Sequence, residues 1–64
     1  MNTKYRYLFK VGFDLGDGKF NNIGSSWTIE GARNLAQEVE EEYGEYPKIL
    51  KVFAKSGKFV SEVT

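Results

Sequence analysis

Cysteine and histidine are both absent from this chain, and proline occurs once. Without cysteine there is no disulfide and no thiolate metal site. Without histidine the commonest metal ligand and the commonest general base at neutral pH are missing as well. No apolar run is long enough to span a membrane, and the opening MNTKYR is polar, which argues against a secretory signal. A cytoplasmic setting is the expectation. Excess charge is lacking too: nine basic residues balance nine acidic ones. The molecule therefore has no overall basic field of the kind a dedicated duplex-DNA binder carries.

What remains is 64 residues with ten aromatics. That length makes one domain, residues 1–64, with a core that rarely supplies more than ~3–5 kcal/mol by itself. Added stability must come from the aromatic residues or from self-association.

Residues 4–13, KYRYLFKVGF, alternate strictly. Tyr5, Tyr7, Phe9, Val11 and Phe13 share one face, and Lys4, Arg6, Leu8, Lys10 and Gly12 the other. This is the pattern of a half-buried strand. The stretch GDGKFNN that follows, Gly16 to Asn22, raises the question of a phosphate loop. A P-loop needs G-x-x-x-x-G-K-[ST] between a strand and a helix; here the spacing differs, Lys19 precedes Phe20, and a second strand follows. Asp14, Asp17, Asn21 and Asn22 also miss the calcium-loop spacing. The reading is a hairpin turn at Asp17-Gly18, with Val11 facing Ile23, Phe9 facing Ser25 and Tyr7 facing Trp27.

Thr28 is suited to an N-cap, and Ile29, Ala32, Leu35, Ala36, Val39 and Tyr43 recur at helical spacing. Gly44 and Pro47 end that helix, placing it at about 29–43. The remainder, ILKVFAKSGKFVSEVT, predicts a second hairpin around Ser56-Gly57 that pairs Ala54 with Phe59, Lys51 with Glu62 and Leu50 with Val63.

The fold class is thus α+β, ordered β-β-α-β-β. One helix packs on one face of a four-stranded, mainly antiparallel sheet of order 2-1-3-4, with 1-2-3-4 as the alternative. The helix-covered face is expected to hold Tyr7, Phe9, Val11, Ile23, Trp27, Leu50, Val52, Phe59 and Val63.

No catalytic residue, cofactor site or metal site is expected. One helix on a small sheet offers little concavity to shift a pKa, Ser25-Ser26 lies in no nucleophile motif, and Glu40-Glu41-Glu42 reads as a solvated helix face. Charge is instead sorted by element. Six of the nine acids lie on or just after the helix, and six of the nine bases lie on strands 1, 3 and 4 or their turn. The function expected is that of a small non-catalytic protein-binding module, an accessory or inhibitory protein able to self-associate.

Its candidate contacts are an acidic helix face (Glu30, Glu38, Glu41, Glu42, Glu45) and a partly apolar outer sheet face (Leu8, Lys10, Ile49, Lys51, Phe53, Lys55, Val60). The alternative is single-stranded nucleic acid on the outer face, with Phe53 stacking a base. Against it, the tyrosines of the first strand point to the core, so the required aromatic pair is missing. A metal-dependent or other enzyme ranks last. Lysine-rich sheet edges and acidic helix exteriors also serve simply as solubilising surface.

Overall fold

The computed structural model describes residues 5–63. The elements are β1 (Tyr7–Gly16), β2 (Lys19–Ser26), α1 (Ile29–Tyr43), β3 (Lys48–Phe53) and β4 (Phe59–Val63). The sheet has the order β2-β1-β3-β4, and every neighbouring pair is antiparallel. Fold class and strand order are those the sequence predicts. Lys4, placed on the first strand by alternation, lies outside the described residues.

The GDGKFNN stretch is a hairpin turn. Gly16 faces Lys19 across it, and Asp17 (φ 54°) and Gly18 (φ 73°) both take positive φ. This is the backbone of a tight two-residue turn that matches the twist of its strands. Asp14 Oδ1 accepts a hydrogen bond from the Gly16 amide at 2.9 Å and braces the approach to the turn. Gly18→Val should therefore destabilise the protein by more than ~1 kcal/mol in a urea titration, and Lys19→Ala should leave stability unchanged.

The helix starts and stops for local reasons. Thr28 Oγ1 accepts from the Gly31 amide at 3.0 Å, and Gly44, at φ 78°, donates to the Glu40 carbonyl at 2.8 Å. Gly, lacking a Cβ, takes that left-handed C-cap at the least steric cost. Ala32, Ala36 and Val39 are buried and meet Val11 and Ile49 in the core, against which Phe9, Phe13, Ile23, Leu35 and Val63 pack. α1 lies over β1 and β2 and reaches β3 but not β4. It packs tightly on Gly24, where a Cβ would come within 2.8 Å of a Leu35 methyl carbon.

Three local departures change which residues share a face. β1 pairs with β2 as predicted from Gly12 to Asp14, but a bulge at Ile23 then moves Val11 opposite Gly24 and Phe9 opposite Ser26. The second hairpin is shifted by one residue: Ile49 faces Val63, Leu50 faces Glu62 and Lys51 faces Ser61. Its turn is wider than a Ser56-Gly57 pair, since the Phe53 amide donates to the Lys58 carbonyl at 2.9 Å across residues 54–57. The predicted Lys51–Glu62 pair is thus not formed.

The third departure is the face of β3. Ile49 lies opposite Val11 and is buried under the helix; Leu50, Val52 and, on β4, Phe59 fall on the opposite side. Trp27 is 51% exposed and is not part of the core. The physical reason is that ILKVF is apolar on both faces, so alternation cannot choose between them, whereas pairing with β1 does.

Candidate functional site

Among the described residues a single helix covers one side of the sheet, and no second layer covers the other. On that outer side, Leu8 and Lys10 of β1 stand beside Leu50 and Val52 of β3, and Phe59 of β4 stands beside Val52. Leu8 and Leu50 are half-buried, while Phe59 is 62% exposed. At one end, Lys48 lies between two carboxylates, 3.6 Å from Asp14 Oδ2 and 3.9 Å from Glu62 Oε1. These half-exposed ion pairs contribute little stability, but they place both signs of charge on the rim. The Gly16 amide, aided by Lys48, holds the Asp14 carboxyl below its ordinary value of 3.8.

Of the residues predicted for this face, Leu8 and Lys10 lie on it. Ile49 does not: it is core. Lys51 and Phe53 point to the helix side, where the Lys51 ammonium sits 4.1 Å from the centre of the Tyr7 ring and the Phe53 ring lies 5.5 Å from it. Lys55 is in the turn, and Val60 sits at a bulge between Lys51–Ser61 and Val52–Phe59. Leu50, Val52 and Phe59 are the outer residues that sequence reasoning assigned to the core. The pairing of Val11 with Ile49 is the signal that would have found them.

The acids predicted to form the acidic face lie on α1, except Glu45, which follows the Gly44 cap. Glu30, Glu38, Glu41, Glu42 and Glu45 are all exposed. The last turn of α1 carries no basic residue. Acids there oppose the helix dipole, whose C-terminal end is negative, so their position is unfavourable for the helix itself.

Beyond the start of the helix, on its own side of the sheet, lie two ring pairs, Tyr5 with Trp27 at 5.4 Å and Tyr7 with Phe53 at 5.5 Å. The first-strand tyrosines are therefore not consumed by the core. Between the helix and β4, a cleft of about 190 Å³ is lined by Arg33, Tyr46, Pro47, Ile49 and Val63 among others. It falls below the ~300–1,000 Å³ typical of small-molecule sites. Among the described residues, no group of three acidic side chains converges to hold a metal, and no helix is long and apolar enough to cross a membrane.

Comparison with known proteins finds no matching family model, no similar curated protein and no similar solved structure, so function must be argued from this chain's own surfaces.

Proposed function

We propose that the protein acts by stoichiometric protein binding without catalysis, and that its outer sheet face packs against a second copy of the chain. The observation that carries this reading is the half-covered sheet. The buried apolar residues are few and small (Val11, Ala32, Ala36, Val39, Ile49 and Val52). Leu8, Leu50 and Phe59 still have apolar surface to bury, and full burial of such a side chain is worth about 1.5–3 kcal/mol. Two features favour a like partner. Zero net charge means that copies do not repel one another. The rim also carries lysine and carboxylate together, which a twofold axis can set against each other.

Sedimentation velocity tests it. Leu50→Lys should weaken association at least tenfold while leaving the circular dichroism spectrum native. A wild type that stays monomeric at millimolar concentration contradicts the proposal.

The acidic helix lies on the other side of the molecule and remains available to a basic partner, as an accessory or inhibitory protein would require. Its acids near the helix C-terminus favour binding at the expense of stability. Replacing Glu41 and Glu42 by Lys should raise stability by about 0.3–1 kcal/mol per residue, because each change reverses an unfavourable dipole interaction. Reversing Glu38, Glu41 and Glu45 together should weaken capture of a basic partner, and added salt should weaken it too. Unchanged affinity in the triple variant removes the helix from the binding surface.

A further inference from the structure

We infer that the end of the sheet where β1 begins and β3 ends binds single-stranded nucleic acid, on the helix side and apart from the outer face. The first observation is aromatic. Tyr5 and Trp27 are stacked at an interplanar angle of 28°, and Tyr7 and Phe53 are paired at 33°. Trp27, Phe53 and Tyr5 are 51%, 41% and 39% exposed, so ring surface remains open to a ligand. Tyr5 and Tyr7 are two residues apart on one extended segment, which is continued past β1 by the Ala54 amide donating to the Arg6 carbonyl at 2.9 Å. In extended chain that places them about 7 Å apart; the Lys51 ammonium already caps the Tyr7 ring, so of two successive bases one meets Phe53 and the other the Tyr5–Trp27 pair. Stacking of this kind is tolerant of sequence, because every base has a π face.

The second observation is electrostatic, and it is independent of the first. Among the described residues, cations at the aromatic end stand without a nearby sheet carboxylate. Lys51, Lys55 and Lys58 gather there, with Arg6 on the outer side of the same end, whereas toward the other end Lys19 and Lys48 are accompanied by Asp14, Asp17 and Glu62. The helix repeats the pattern. Its first turn has one acid, Glu30, and the others follow toward its C-terminus, where Tyr43 meets Phe13 near the Asp17 hairpin. Lys55 and Lys58 are fully available in the exposed β3–β4 turn, adjacent to Phe53. A neutral molecule thus carries a local cationic patch beside its exposed rings. Unstacked bases with phosphates between them match that combination. A duplex does not, since its bases are stacked inside and out of reach of the rings.

The inference does not rest on self-association, because a partner on the outer face leaves this end open. Trp27 is the chain's one tryptophan, so its fluorescence reports on the site directly. Titration with dT20 at low salt should quench it, and a blunt duplex of the same length should not compete. Phe53→Ala should weaken binding roughly tenfold through loss of one stacking surface. Lys55→Glu with Lys58→Glu, in the exposed turn where folding is not at stake, should also weaken it. That double variant should reduce the log–log salt slope by about 1.4 if each lysine neutralises one phosphate of a single strand. Absence of quenching overturns the inference, as does an unchanged slope in the double variant. Equal displacement by polyglutamate overturns it as well, since the end then reads charge alone and suits an acidic protein.

Discussion

Replacing Gly12 by valine is expected to abolish the native fold. Gly12 is buried in β1, paired with Asn22 on one side and Lys48 on the other. A Cβ there would run into the Asn21 carbonyl oxygen and lie 2.9 Å from the Asn21 carbonyl carbon and 3.0 Å from the Asn22 Cα. These are backbone atoms of a paired strand. No rotamer change relieves the contact, and β2 would have to separate from β1 at its bulge. Overpacking in a tight interior commonly costs about 1–3 kcal/mol and more where nothing can yield. The whole margin of a 64-residue domain without staples is only ~3–5 kcal/mol. Thermal melts followed by circular dichroism should show no cooperative transition for Gly12→Val and a markedly lowered midpoint for Gly12→Ala. A Gly12→Ala midpoint equal to the wild type would mean that β2 does not cross so close.

The second large effect separates two neighbours on β3. Ile49→Ala should cost about 2–5 kcal/mol, the range for deleting a buried isoleucine side chain beyond its Cβ. Ile49 is 3% exposed and packs among Val11, Ala32 and Ala36. Leu50→Ala should cost clearly less, because Leu50 is only half-buried and faces away from the helix. Urea midpoints for the two variants decide the matter. The reverse order, with Leu50 the costlier, would restore the strand orientation that alternation alone suggests.

These neighbours also show where the sequence stops being legible. The helix can be read almost to the residue, since Thr28 and Gly44 mark its ends and its apolar spacing fits one period. The exposure of its glutamates follows from that same period. Antiparallel order follows from two short hairpins and one covering helix. The sheet faces do not follow. Irregularities at Leu15, Ile23 and Val60 each add a residue on one strand, and a shift by one moves side chains to the other face. β3 has apolar residues on both sides, so nothing local marks Ile49 rather than Leu50 as core. Trp27 illustrates another limit. It looks like a core residue by type, yet it stacks on Tyr5 beyond the last residue of β2.

The central claim is that the outer sheet face is covered by a second copy, and methyl relaxation by a soluble paramagnetic probe tests it most directly. With methyl-labelled protein, the enhancement at Leu8 and Leu50 should fall as concentration rises, while that at Ile29, on the exposed start of the helix, stays constant. Unchanged enhancement at the two outer leucines, or a fall confined to the helix side, would contradict the account.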